Sequence, residues 1–146
     1  MISTKNPFLI PLEDNAILWR YMDIDKFEKL IEKKALFFCR ADLLGDEFEG
    51  SIPKKEAEYL NKTTFEELRK GFTYTFKNFR RSSMMSCWHI SDVESSLMWN
   101  TYSEKKGIVI KSNKERLFNS ICGCEDKIWP SKVRYIDYEK GTWYGE

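Results

Sequence analysis

Apolar and polar positions alternate between two rhythms along this chain, and the change of rhythm marks its elements. Ile17-Leu18-Trp19-Arg20-Tyr21-Met22 is an apolar and aromatic run, the pattern of a buried strand. Period-2 alternation puts Leu18, Arg20 and Met22 on one face and Trp19 and Tyr21 on the other. The rhythm then becomes helical. Ile24, Phe27, Leu30 and Ile31 form one stripe between charged residues, which predicts a helix over Asp25–Lys34. Asp23 offers its N-cap, with Met22 and Phe27 placed for a hydrophobic staple, and Asp25 with Glu28 is an alternative capping box. Ala35-Leu36-Phe37-Phe38-Cys39 reads as a second strand. An acidic, glycine-punctuated loop over 40–50 follows, richer in charge than a plain connection needs.

Pro53 opens a helical region with Ala57, Tyr59 and Leu60 as its apolar members, and residues 61–64 break it. Thr64 with Glu67 forms a capping box for a next helix, which carries Phe65, Leu68, Phe72 and Phe76 or Phe79 and is weakened at Gly71 by about 1 kcal/mol relative to Ala. Arg80–Ser83 reads as a turn and Met84–Ile90 as a strand. Ser91-Asp92 reads as the cap of a short helix bearing Leu97, Met98, Trp99 and Tyr102. Gly107–Ile110, unbroken in its apolar character, reads as a strand buried on both faces. Ser112 with Glu115 forms a further capping box, with Leu117, Phe118 and Ile121 facing inward. Lys132–Tyr138 alternates strictly, as a half-exposed edge strand does. Residues 1–15, with Pro7 and Pro11, read as an extended lead-in, and 139–146 as an aromatic tail.

These elements predict an α+β fold: a mixed sheet of about five strands with about four helices packed on it, in one domain over residues 1–146. The length of 146 residues, 42% of them hydrophobic and 15% aromatic, supports a globular core. The 24 basic and 23 acidic residues nearly cancel, which removes a bulk electrostatic case for nucleic acid. With no apolar run of membrane-spanning length and no signal peptide, the expected location is cytoplasmic, with no membrane partner. Four cysteines form neither a disulfide framework nor a zinc-knuckle pattern; Cys39 and Cys87 read as small buried hydrophobes, and Cys122-Gly123-Cys124 is too tightly spaced for a paired zinc site.

The chemistry on offer is sparse. His89 is the only histidine and therefore the first acid–base candidate, at the C-terminal edge of a strand; a histidine that only bonds backbone there is the structural alternative. Cys87, two residues earlier, shares its face if the strand runs through, and could pair with it as thiolate and imidazolium. Arg20 lies mid-strand among apolar neighbours, a costly position unless it faces a cleft or a partner, and its fork suits a phosphate or carboxylate. Asp42, Asp46, Glu47 and Glu49 could offer oxygen to a divalent ion, or simply pair with Arg40 and cap a turn. Glu94, Met98, Trp99 and Tyr102 fall at helical spacing, which equally describes a core stripe. No glycine-rich phosphate loop occurs. This inventory names no metal and no cofactor.

Several pieces of the chain resemble the bacterial family catalogued as domain of unknown function 2971. They are Leu18–Tyr21, Leu36–Asp42, Gly45–Gly50, Ser86–His89, Glu94–Tyr102 and Gly107–Ile110, within a family-like region over 17–112. Glu47 departs from the pattern, which places a hydrophobic residue or proline after the loop's first Asp. Family members usually run on beyond this chain's end, so the resemblance implies a short or C-terminally truncated member. The layout of strand with Arg-Tyr, helix and strand is also similar to the opening of ADP-ribosyltransferase domains. That likeness implies a nucleotide-like or phosphate-bearing small molecule. Arg20, Tyr21, Arg40 and Asp46 would bind it, Trp88, Trp99 or Tyr102 would stack on it, and His89, Glu94 or Glu49 would supply catalysis. The competing expectation is a non-catalytic interaction module in a defence or stress system. Convergence of Arg20, Arg40, Asp46, Glu49 and His89 in one cleft would favour the first. The Lys132–Tyr138 edge, with Trp143 and Tyr144 beyond it, suggests a homodimer.

Overall fold

The computed structural model describes residues 9–46, 48, 51–63, 65–102 and 106–142. Its elements are β1 (Ile17–Asp23), α1 (Ile24–Lys33), β2 (Cys39–Arg40), a single 3-10 turn (Ala41–Leu43), α2 (Lys54–Thr63), α3 (Glu66–Ser82), β3 (Met84–Met85), β4 (His89–Ile90), α4 (Ser96–Tyr102), β5 (Gly107–Asn113) and α5 (Lys114–Ile121). The fold is α+β. Its strands fall into a three-stranded sheet ordered β4-β1-β5 and a two-stranded sheet β2-β3, antiparallel throughout rather than one mixed sheet. Two compact units result, one from the described residues of Met1–Leu36 and Cys87–Arg134, the other from those of Phe37–Ser86 and Tyr135–Glu146.

In the first unit β1 is the central strand. Leu18, Trp19, Tyr21 and Met22 are all buried, so both faces of β1 are covered, as its apolar run requires. Trp19 also donates its indole N–H to the Ser91 carbonyl at 2.7 Å, which satisfies the polar end of a buried ring. β5 is an edge strand, half-buried rather than buried on both faces, and it runs three residues further than its apolar stretch. Pairing with all seven residues of β1 carries Lys111, Ser112 and Asn113 into the ladder. The cap of α5 consequently moves one residue on: Asn113, not Ser112, accepts from the Arg116 amide at 2.8 Å.

Asp23 ends β1 and caps α1, its Oδ1 accepting from the Lys26 amide at 2.8 Å and its Oδ2 pairing with the Lys26 ammonium at 2.7 Å. Lys34 closes α1 in the left-handed region at φ 47°, its N–H returning to the Ile31 carbonyl. Phe27 and Leu30 are half-buried, whereas Ile24 and Ile31, expected inside, lie 38% and 56% exposed. The Lys26 side chain, and then its amide, hold the Asp23 carboxyl below its ordinary value. Asp23→Ala should cost about 1 kcal/mol in chemical unfolding at neutral pH. A carboxyl whose pKa is depressed on folding stabilises above its unfolded pKa. The gap between variant and parent should therefore shrink as the pH falls below about 4. A gap that is constant down to pH 2 would contradict the cap.

The lead-in is tied down where it is described. Lys132 donates its amide to the Ile10 carbonyl at 2.9 Å, Ile10 donates to Ser131 Oγ at 3.0 Å, and Lys132 pairs with Glu13. This single bridge is all that forms of the expected strand over Lys132–Tyr138.

In the second unit the rest of that segment makes a turn. Asp137 Oδ1 accepts from the Glu139 and Lys140 amides at 2.9 and 3.3 Å, and Gly141 closes onto the Asp137 carbonyl at 2.6 Å. A Cβ on Gly141 would lie 2.7 Å from that carbonyl oxygen, so the turn needs glycine. Tyr138 then accepts the Lys54 amide on its carbonyl at 2.9 Å and donates its hydroxyl to the Phe48 carbonyl at 2.7 Å. α3 absorbs most of the expected Arg80–Ser83 turn. Phe65 occupies its N-cap without a side-chain bond, and Thr64 lies outside the described residues. Phe65, Leu68 and Phe79 of the expected inner stripe are exposed. The predicted strand Met84–Ile90 splits: β3 pairs with β2, β4 pairs with β1, and the chain passes between units at Ser86–Cys87.

Candidate functional site

The register of the three-stranded sheet decides which polar side chains can meet. Trp19 stands opposite His89 on one side and Lys111 on the other, and Arg20 stands opposite Ile110. Directly opposed residues share a face, and neighbours along a strand do not. Trp19, Tyr21, His89 and Lys111 therefore occupy one face of the sheet. Leu18, Arg20 and Ile110 occupy the other. Arg20 and His89, expected to converge, emerge on opposite faces.

On the first face the rings stack edge to face. Tyr21 meets Trp99 at 5.3 Å between centroids and 83° between planes, and His89 at 6.4 Å and 61°. The Tyr21 hydroxyl accepts from the Ser95 amide at 2.8 Å. Ser95 in turn is the N-cap of α4, its Oγ accepting from the Met98 amide at 3.3 Å. The expected cap at Ser91-Asp92 instead forms a small turn, Ser91 Oγ accepting from the Val93 amide at 3.3 Å. Glu94 accepts from the Trp99 indole N–H at 3.0 Å. Tyr102, on the last turn of α4, is 52% exposed. Lys111 lies with its ammonium 4.7 Å from the Trp19 ring centroid, a cation–π contact. Thus Tyr21 and Trp99 form a packed pair, with the imidazole at one end and the Glu94 carboxylate at the other.

On the second face the Arg20 guanidinium lies 5.6 Å from the Trp88 ring centroid. Burial penalises its charge and draws its pKa below the ordinary value, an effect the nearby Cys87 side chain opposes. Cys87 itself is exposed and outside any strand, not a buried strand residue, so alternation does not place it with His89. Of the residues in this unit, Arg20 with Trp88 has the chemistry to hold an anion with a flat ring attached.

Arg40 and Asp46 belong to the other unit. Arg40 forks onto Asp42, Nε to Oδ1 at 2.9 Å and an NH2 nitrogen to Oδ2 at 2.6 Å. This bidentate pair holds the Asp42 carboxyl below, and the Arg40 guanidinium above, their usual values. Asp46 accepts from the Phe48 amide at 2.8 Å and so builds its own turn. Glu47 and Glu49 lie outside the described residues. Among the described residues no group of three or more His, Cys, Asp and Glu is arranged to hold a metal.

Ser95 is the residue that the spacing did not flag. Its position three before Met98, rather than before Glu or Gln, hides it from the capping-box pattern. No family model matches this chain, and neither a curated protein nor a solved structure matches it significantly. Among the described residues no helix is long and apolar enough to cross a membrane.

Proposed function

We propose that this chain is a non-catalytic interaction module of the kind catalogued as domain of unknown function 2971, working in a bacterial cytoplasm. The observation that carries this reading is the register that sets Arg20 and His89 on opposite faces. General acid–base chemistry needs its proton carrier and its anchoring charge on the same side of a substrate. The remaining polar candidates hold local structure: Tyr21 accepts from the cap residue of α4, Glu94 accepts from Trp99, Arg40 donates to Asp42, and Asp46 accepts from its own turn. Apolar side chains are meanwhile turned outward. Ile90, Val93, Leu97 and Tyr102 of the first unit are exposed around β4 and α4, which is material for recognition rather than for a core.

One observation favours a second reading. Arg20, partly desolvated beside Trp88, is suited to a nucleotide-like or phosphate-bearing small molecule. Calorimetric titration with ADP and with inorganic pyrophosphate separates the two. The module reading expects no saturable heat at ligand concentrations up to about 1 mM, where binding is worth roughly 4 kcal/mol. A saturable isotherm that is lost in Arg20→Gln, with unfolding unchanged, would replace it with the ligand reading.

A further inference from the structure

We infer that β5 is a self-complementary edge along which two copies of this chain pair, joining their three-stranded sheets into one sheet ordered β4-β1-β5-β5-β1-β4. This inference rests on the interaction-module reading and names the partner as a second copy. The two edges of the sheet differ. β4 contributes two residues, too few to template a partner, whereas β5 contributes seven. β5 pairs with β1 residue for residue from Gly107 to Asn113, without a bulge, and it contains no proline. Among the described residues β1 is its sole pairing partner. Its outer backbone groups therefore lack the devices that usually blunt an edge: a short strand, a bulge, a proline or an outward charge. The strand's one charged residue, Lys111, has its ammonium over the Trp19 ring, drawn across the sheet face.

Self-pairing also selects its own register. A two-fold axis normal to the sheet keeps like faces together, so it must pass through a residue rather than between two. An axis at Lys111 would set two ammonium-bearing side chains directly opposite, which is unfavourable. An axis at Val109 would leave Ser112 and Asn113 outside the paired strand. An axis at Ile110 pairs all seven residues. Ile110 then meets Ile110, Val109 meets Lys111, Ile108 meets Ser112, and Gly107 meets Asn113. No like charges oppose one another.

The opposition of Val109 to Lys111 of the second copy provides the test. Sedimentation equilibrium of the full chain should show a reversible dimer of a 17.4 kDa protomer. Val109→Lys creates two like-charge pairs across the axis and should weaken the dimer about tenfold. Val109→Glu should tighten it. The double variant Val109→Lys, Lys111→Glu should restore parental affinity, a rescue that misfolding could not produce. A chain that stays monomeric at high concentration overturns the inference, as do equal affinities for the Lys and Glu variants or a double variant that fails to recover. A dimer dependent on the tail at Trp143 and Tyr144, outside the described residues, would appear as that second outcome. None of these results bears on the calorimetric titration, so failure of self-pairing is distinguishable from failure of the module reading.

Discussion

Leu18→Ala should lower the free energy of unfolding by about 2–5 kcal/mol, the range for emptying a leucine site in a packed interior. Leu18 is 1% exposed and lies between two strands, opposite Ile90 and Ser112. Its weight comes from where burial is concentrated. Among the described residues the buried apolar side chains are Ala16, Leu18, Trp19, Tyr21, Met22, Ala41 and Pro53, so five of these seven lie in or directly before β1. A core gathered on one strand has few neighbours able to relax into a cavity, and a large part of the stability of a small domain is at stake. Leu97→Ala is the matched control. At 71% exposure it should change stability by no more than about 0.5 kcal/mol. Urea unfolding followed by tryptophan fluorescence reads both. Equal costs for the two variants would show that β1 is not the centre of the core.

Tyr21 should separate packing from hydrogen bonding. Tyr21→Ala removes the ring that meets both Trp99 and His89, and it should cost about 3–5 kcal/mol, the range for truncating a buried aromatic. Tyr21→Phe keeps the ring and removes the acceptor of the Ser95 amide, a part-buried donor 2.8 Å away. That change should cost about 1–2 kcal/mol. The two should also differ in where they act. In the Phe variant, hydrogen exchange should quicken at Ser95 and along α4, while β1 amides keep their protection. In the Ala variant both should quicken. A Phe variant that matches the parent in stability and exchange would mean that α4 is not held through this hydroxyl.

The difference between local and non-local information explains which elements the chain spelled out. β1 and α1 were legible because their causes are adjacent in sequence. An apolar run makes the strand, and Asp23 reaches the amide of Lys26 three residues on. The α+β class followed from the same short-range rhythms. Lys132–Tyr138 shows where rhythm misleads. Its alternation is real, but Asp137 bonds the backbone just ahead and a bridge to Ile10 engages only Lys132. The side chain offered the backbone a turn, and among the described residues no second strand pairs with the segment to compete with it. Met84–Ile90 failed differently, because a run that looks continuous is claimed at its two ends by partners from different units.

The candidate site divided along the same line. The sequence marked Arg20, Tyr21, His89, Glu94 and Trp99 as unusual, and each has a defined contact with another of them or with a neighbouring residue. Whether they could act together depended on register, which puts His89 opposite Trp19 rather than opposite Arg20. A shift of one residue would reverse every face, and nothing in the local sequence of either strand specifies that choice. It is made by the burial of Leu18, Trp19, Tyr21 and Met22 against the whole unit. By itself, then, the sequence determined β1, α1 and the α+β class, since caps and apolar periods act within a few residues. Only the tertiary structure decided which polar groups share a face, because strand pairing is settled by packing between residues as far apart in the chain as Ile17 and Asn113.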